Sequence, residues 1–259
     1  MGLFSFFKKK KEERPAPQVL EIKCENKRVQ RPISAVHLEG VDNARPNCYG
    51  NYLYPPAATF IVRGTNTTTN RKNKRTYTAS SDADAIQKAE TDGLAGPFEI
   101  TVEPEESATE RQLAYAKDLG LRIPQGACIT DASALITRAE ENDVEATHTE
   151  LLAFLAARGW RGSAFTGYGF TLKILYNFVD NPREQIALYP YYIDRSENGL
   201  PLGNFDTAPR KDHYLAFADY VLQNPKALEH YKNWRHDKTW PKAKTWGIYK
   251  DYKEFCRSL

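Results

Sequence analysis

Two β-rich runs, Thr59-Phe-Ile-Val-Arg63 and Arg75-Thr-Tyr-Thr-Ala79, lie close together in the first third of the chain. β-Branched and aromatic residues favour strands, and the polar segment between the runs, residues 64–74, is rich in Asn and Thr and favours a loop. The stretch therefore predicts a β-hairpin.

A helix and a third strand are predicted directly after this hairpin. Ser81 has a side chain that can cap a helix N-terminus, and Asp82 and Asp84 suit the first turn, where the helix dipole favours negative charge. Phe98-Glu-Ile-Thr-Val102 alternates apolar and polar residues, as a half-buried strand does. We therefore predict a small β-β-α-β unit within a β-rich segment, residues 19–104.

The rest of the chain is predicted to be mainly helical. Thr109-Glu-Arg-Gln112 is a capping box, and Gly120 is suited to end the helix that it begins. With a second helix from about residue 130, residues 107–142 form a predicted helical hairpin, followed by an aromatic-rich helical segment, residues 143–259. The fold class is accordingly α+β, with a β-rich N-terminal unit and a mainly helical C-terminal part.

Composition excludes several classes of protein. The chain has 259 residues, 41% of them hydrophobic, and no apolar run approaches the ~18 residues of a membrane span. The four cysteines, Cys24, Cys48, Cys128 and Cys256, include no close pair of the kind that a zinc site uses. We expect four reduced thiols in a cytoplasmic protein, with no metal and no cofactor.

Charge is distributed unevenly along the chain. Residues 1–75 carry 15 Lys and Arg against 6 Asp and Glu, residues 76–205 carry 10 against 20, and residues 206–259 carry 11 against 7. Two basic ends therefore flank an acidic middle, which bears on partners and not on fold. We expect DNA or RNA as partners of the basic ends, and packing or a protein partner for the acidic middle.

Ten residues are candidates for nucleic-acid binding. Four lie in the predicted hairpin, and six lie near the C-terminus, where cations alternate with tryptophans as in single-strand binders. The alternative for the aromatics is a helical core stripe, with the lysines as its solvated face. The candidates are Arg71, Lys72, Lys74, Arg75, Lys232, Arg235, Lys238, Trp240, Lys242 and Lys244.

We expect residues 1–18 to form a disordered basic tail and linker. Three phenylalanines precede four lysines, and such a segment can make weak contact with an anionic membrane surface, although stable anchoring requires a second signal. The alternative is a linker with no membrane role. The candidate residues are Phe4, Phe6, Phe7, Lys8, Lys9, Lys10 and Lys11.

Two segments resemble known modules. With a strand, a basic turn, a second strand and a helix, residues 59–90 resemble the arm-binding domain at the N-terminus of phage-type tyrosine recombinases, which implies DNA binding. The recombinase catalytic set has no match here, so recombination is not implied. Residues 109–139 resemble short Thr-x-x-Gln/Leu-Gly/Ile-Pro helical modules of bacterial and phage proteins, and also the helix-extended-helix plan of SAP-type DNA-binding motifs. Because residues 107–142 carry more acidic than basic side chains, we expect packing or protein contact from them.

Catalytic motifs are not recognisable in the sequence. His213, His230 and His236 lie near aspartates, but their spacing does not place them on one helix face. We therefore expect a non-enzymatic binding protein that contacts nucleic acid through its basic hairpin and C-terminal surfaces. Two alternatives stay open: a protein-interaction or peripheral-membrane adaptor of bacterial or phage type, and an enzyme whose site is assembled from distant residues.

Overall fold

Strand β2 (Ala58–Asn66) is the middle strand of a three-stranded sheet. The computed structural model describes residues 37–236 and 247–258, all within one compact unit of the chain. In it, β2 pairs antiparallel with β3 (Lys72–Ala79) on one side and with β4 (Leu94–Glu103) on the other. Helix α1 (Asp82–Thr91) connects the two edge strands, and the predicted β-β-α-β unit is confirmed.

One face of this sheet is buried against α1. Because side chains alternate along a strand, Phe60 and Val62 of β2 point to the same side, where they pack with Ala85 and Ala89 of the helix. The helix begins as predicted, since the Ser81 hydroxyl accepts a hydrogen bond from the backbone N–H of Asp84. The opposite face of the sheet carries the alternate residues.

The remainder is mostly helical, and the α+β fold class is confirmed. Two residues, Leu53–Tyr54 (β1), pair antiparallel with Gly162–Ser163 (β5), and short 3-10 helices span Leu175–Asn177 and Phe205–Thr207. The helices of the described residues are α2 (Glu110–Asp118), α3 (Ile129–Glu141), α4 (Thr149–Ala156), α5 (Tyr168–Ile174), α6 (Pro182–Glu197), α7 (Lys211–Gln223), α8 (Pro225–His236) and α9 (Gly247–Arg257).

The largest core lies among the later helices and is rich in aromatic rings. Trp234 of α8 is only 3% exposed, and its ring centroid lies 4.7 Å from that of Tyr189 in α6. Phe217 of α7 and Tyr252 of α9 meet at 5.2 Å. The aromatics at helical spacing are therefore core residues at these positions, which confirms the core-stripe alternative for Trp234.

The region between residues 106 and 181 contains one backbone plan twice. Ser107 pairs with Cys128 in an isolated β-bridge, and 39 positions later Ala146 pairs with Gly167 in the same way. Each bridge closes a helix–loop–helix unit: α2 and α3 in the first, α4 and α5 in the second. The flanking hydrogen bonds also match, because Ile129 N–H donates to the Glu106 carbonyl and Tyr168 N–H to the Glu145 carbonyl.

The two units share little sequence. Residues 106–142 and 145–181 agree at six of 37 aligned positions. Gly120 and Gly159 end the first helix of each unit with φ of 73° and 87°, as predicted for both. The sequence predicted two helices here, one ended by Gly159 and one from Thr171 to Val179 after a turn, but it did not predict that they form a second copy of the helical hairpin.

Buried Asp131 connects the first unit to the rest of the molecule. Its side chain accepts hydrogen bonds from the backbone N–H groups of Tyr52 and Cys128, both at 3.0 Å, and from the Ser163 hydroxyl at 2.7 Å. These contacts cross the predicted boundaries at residues 104–107 and 142–143. The division into four segments stays a prediction.

The predicted membrane contact of the N-terminal tail stays a prediction. Among residues 37–236 and 247–258, no helix is long and apolar enough to cross a bilayer. The candidate membrane residues, Phe4 to Lys11, lie outside the described part of the chain.

Candidate nucleic-acid interface

The open face of the sheet is a regular array of polar side chains. The strand register places Lys74, Arg63 and Glu99 in one row across the three strands, and the next row toward the hairpin turn contains Lys72 and Thr65. On the other side of the charged row, the face is lined mostly by threonines: Thr59, Thr76, Thr78 and Thr101. Hydroxyl and cationic groups both donate hydrogen bonds to phosphate oxygens.

Arg63, Lys72 and Lys74 form a positive group on this face, which we call the sheet cluster. All three are exposed, and they border a shallow cavity of about 320 Å³ together with Pro97 and Glu99. Arg63 Nη1 lies 3.7 Å from Glu99 Oε2, and both side chains are more than half exposed. An ion pair this long and this solvated contributes little, so the Arg63 guanidinium can turn to another anion at small cost.

The hairpin turn is shorter and more ordered than the sequence predicted. Residues 64–74 were expected as a loop, but β2 extends to Asn66 and β3 begins at Lys72, so only five residues lie between the strands. The Asn66 side chain accepts from the backbone N–H groups of Thr68 and Thr69, and Thr67 bonds to the Gly93 carbonyl. The lysines are therefore held at strand positions, and only Arg71 lies in the turn.

Gly64 allows β4 to approach the middle strand beside the cluster. A Cβ atom at this position would lie 2.8 Å from the Ala95 carbonyl oxygen and 2.9 Å from the Phe98 ring. The register of β2 and β4 shifts between Arg63 and Thr65, which is where this close approach occurs. A glycine is therefore required next to Arg63 by the backbone path of β4.

Arg75, which the sequence analysis grouped with Arg71, Lys72 and Lys74, does not belong to the sheet cluster. It points to the helix side of the sheet, where its guanidinium donates to the Asp92 carbonyl at 2.8 Å and lies 3.4 Å from the Asp92 carboxylate. The Tyr77 hydroxyl donates to the same carboxylate at 3.1 Å. Burial, together with this hydrogen bond, raises the pKa of Tyr77. Arg75 thus connects β3 to the end of α1.

The C-terminal candidates do not join this face in the described residues. Lys232 is exposed on α8, whose main packing partners are α7 and α9. Arg235 lies in the same helix, but its side chain is outside the described part. Lys238, Trp240, Lys242 and Lys244 also lie outside it, and their role stays a prediction.

Sequence reasoning missed Arg63 and Glu99. Arg63 was assigned only to a strand, and Glu99 only to an alternating run. The signal that could have found them is the period of two: once Lys72 and Lys74 are strand residues of a hairpin closed at 67–71, the antiparallel register places Arg63 opposite Lys74. Arg63 could not be placed from the sequence because the end of β2 and the start of β3 were not predicted correctly.

Two histidines have polar neighbours, but neither borders the cavity beside the sheet cluster. His230 Nδ1 lies 2.7 Å from Asp251 Oδ2 and connects α8 to α9, and His213 Nε2 lies 3.6 Å from Cys256 Sγ. Desolvation and the nearby Arg210 lower the pKa of His213. Within the described ranges, no three His, Cys, Asp or Glu side chains are grouped as metal ligands.

Comparison with family models, with curated proteins and with solved structures finds no match to this chain.

Proposed function

We propose that the protein binds nucleic acid through the open face of its three-stranded sheet. The observation that supports this most is the sheet cluster: Arg63, Lys72 and Lys74 occupy adjacent rows of one exposed face, with Glu99 as the acidic side chain among them. Three cations held by strand pairing repel one another, and phosphate groups relieve that repulsion while releasing counterions.

The distribution of charge around the sheet favours this face over the other one. The helix side carries Asp82, Asp84, Glu90 and Asp92, with Lys88 and Arg75 already engaged by Asp84 and Asp92. A polyanion approaching that side meets net negative charge. The open side carries Arg63, Lys72 and Lys74 against Glu99 and Glu103, so its net charge is positive.

The composition of the open face favours a duplex over a single strand. Proteins that bind single strands on a sheet stack bases on aromatic side chains. Here the aromatics of the three strands, Phe60, Tyr77 and Phe98, pack with the buried core of the unit, and the open rows contain Thr, Lys, Arg, Ile and Glu. Hydroxyls and cations contact a phosphate backbone, and a β-ribbon fits the major groove of DNA.

Fluorescence anisotropy with a labelled DNA duplex, measured on the full chain over a range of salt concentrations, tests the proposal. We expect wild-type binding that weakens with salt, and a triple variant R63Q/K72Q/K74Q that lowers the slope of log affinity against log salt by about 2.7, at about 0.9 per phosphate contact. A labelled single strand of the same length should bind more weakly.

The matched control is R111Q/K117Q/R122Q, which removes three exposed cations from the first helical hairpin and leaves the net charge of the two variants equal. The proposal is wrong if wild-type protein shows no salt-sensitive binding, or if both triple variants reduce the slope equally, because the effect would then be that of net charge alone.

A further inference from the structure

A second cavity lies between the two helical units, away from the sheet cluster. One wall is the face of α3 that carries Thr130, Ala134 and Thr137, and the other is α5 with the turn that follows it. The segment from Trp160 to Gly167 forms the floor. The volume, about 490 Å³, lies within the range of small-molecule sites.

The lining combines aromatic and aliphatic surface with a few polar groups. Ala134, Phe170, Ile174 and Phe178 contribute half-buried apolar side chains, and the buried Trp160 lies beneath them. The Trp160 ring lies close against the backbone at residue 162, because a Cβ there would be 2.3 Å from the nearest ring atom. Aromatic rings at Phe170, Phe178 and Trp160, opposite the small Ala134 side chain, favour a planar apolar ligand.

Comparison of the two helical units explains why an aromatic side chain occupies this wall. In the first unit, the third residue of α3 is Asp131, whose carboxylate accepts from the N-cap backbone at Cys128. The equivalent residue of α5 is Phe170. Here the helix N-terminus is capped by Asp143 instead, which accepts from the backbone N–H groups of Gly169 and Phe170 at 3.1 and 2.9 Å.

Because Asp143 caps α5, the side chain at position 170 is not needed to accept hydrogen bonds at the helix N-terminus. Gly167 completes the arrangement, because a Cβ there would lie 2.2 Å from the Asp143 carboxylate. Capping by Asp143 therefore leaves Phe170 free to line the cavity. The backbone plan that the two units share does not require an aromatic residue at this position.

One cation faces the cavity with spare hydrogen-bonding capacity. Arg161 borders it, its side chain is 41% exposed, and its ion pair with Asp84 is long, at 3.6 Å. The other arginine in the lining, Arg138, is buried and donates to the backbone carbonyls of Glu39, Asp143 and Val144. Arg161 is thus the group that can meet an anion, beside the hydroxyl of Thr137 and the amide of Asn177.

We propose that this cavity binds a planar aromatic molecule that carries an anionic group, such as an aromatic carboxylate or sulfonate. The rings lie between α3 and α5 over the Trp160 floor, and the anionic group faces Arg161. This inference is independent of nucleic-acid binding, because none of the residues that carry it belongs to the sheet cluster.

8-Anilinonaphthalene-1-sulfonate is a suitable probe of this class, because its emission increases in apolar surroundings. With the full-length folded protein, we expect saturable binding of one molecule per chain, and energy transfer from tryptophan to the probe. N-Phenyl-1-naphthylamine, the same ring system without the sulfonate, should bind at least tenfold more weakly, since it cannot pair with Arg161.

Variants locate the site. A134W and T137W fill the cavity from the α3 wall and should each weaken probe binding more than tenfold, and R161Q should weaken it about three- to tenfold. Arg122 is the control, because it occupies the position in the first unit that Arg161 occupies in the second and does not line the cavity. R122Q should bind as wild type does.

The proposal fails if wild-type protein does not bind the probe stoichiometrically, if R161Q and R122Q behave alike, or if filling the cavity leaves affinity unchanged. Cooperative thermal unfolding of each variant, followed by circular dichroism, verifies that the fold is intact. If one of the tryptophan variants does not fold, the other and R161Q decide the result.

Discussion

Lys74 and Arg75 are adjacent in the chain but lie on opposite faces of the sheet. Lys74 is exposed and stands opposite Arg63 in the strand register, whereas Arg75 is half-buried and donates to the Asp92 carbonyl at 2.8 Å. One basic run in the sequence therefore contains both a surface cation and a structural one, because strand side chains alternate.

This relationship predicts opposite effects of two conservative substitutions. K74Q should weaken duplex binding and reduce its salt slope by about 0.9, with stability within about 0.5 kcal/mol of wild type. R75Q should leave the salt slope unchanged and lower the free energy of unfolding by about 1 kcal/mol, since the Asp92 carbonyl loses its donor. Anisotropy and urea denaturation of both variants provide the two readouts. Loss of binding in R75Q with unchanged stability would contradict the assignment.

Removal of the Asp131 carboxylate should be among the most destabilising changes in the first helical unit. D131A leaves the backbone N–H groups of Tyr52 and Cys128 buried without an acceptor, and we expect a loss of about 3 kcal/mol. D131N should cost less, because its amide oxygen can still accept from both groups while its NH₂ donates to the Ser163 hydroxyl. S163A should cost about 1 kcal/mol. Equal stability of D131A and D131N in urea denaturation would contradict this account.

The ion pair between Asp206 and Arg158 should make stability depend on acid. Hydrogen bonds from Arg158 and then Lys211 lower the pKa of Asp206 from 3.8 to about 2. Because the folded-state pKa is the lower one, the carboxylate contributes its full stabilisation above about pH 4, and this is lost as the pH falls toward 2.

The Asp206 side chain is 36% exposed, so solvent screening reduces the contribution to about 1 kcal/mol. Urea denaturation at several pH values between 2 and 5 measures it. D206N should be less stable than wild type at pH 5 and should lose less stability than wild type between pH 4 and pH 2. Parallel curves for the two proteins would rule out Asp206 as the source.

Two glycines with similar backbone angles should respond differently to substitution. Gly126 (φ 83°) and Gly159 (φ 87°) both adopt left-handed conformations, so alanine costs about 1 kcal/mol at either. At Gly126 the added Cβ would also lie 2.4 Å from the Gly50 carbonyl oxygen, whereas at Gly159 it meets nothing within 4 Å. Thermal unfolding should therefore show G126A to be clearly less stable than G159A, and equal midpoints would count against a close approach at Gly50.

The local elements of the fold were predictable because their signals are contained in short stretches. The Thr109 and Gln112 capping box forms as expected, with Thr109 accepting from the Gln112 N–H at 3.2 Å and Gln112 accepting from the Thr109 N–H at 3.0 Å. Ser81 caps α1 in the same local way. Each depends on residues three positions apart, so a single sequence suffices to predict it.

The candidate site was only partly predictable because it depends on pairing between strands. Lys72 and Lys74 were identified from their charge. Arg63 lies beside them because the hairpin register pairs it with Lys74, and Arg75 lies on the opposite face because strand side chains alternate. The cavity between α3 and α5 was not predicted at all. Phe170 and Ala134 are 36 residues apart in the chain and line the same cavity from two different helices, and neither carries a local sign of a site.

The paired bridges at Ser107–Cys128 and Ala146–Gly167 have a consequence for how this chain tolerates change. Their hydrogen bonds join main-chain groups alone, so any residue other than proline can stand at the donor positions without breaking them. Two segments can therefore share this backbone arrangement while having few identical residues. The third helical position accordingly holds a buried carboxylate, Asp131, in one unit and the benzyl group of Phe170 in the other, while the bridges and their flanking hydrogen bonds are the same in both.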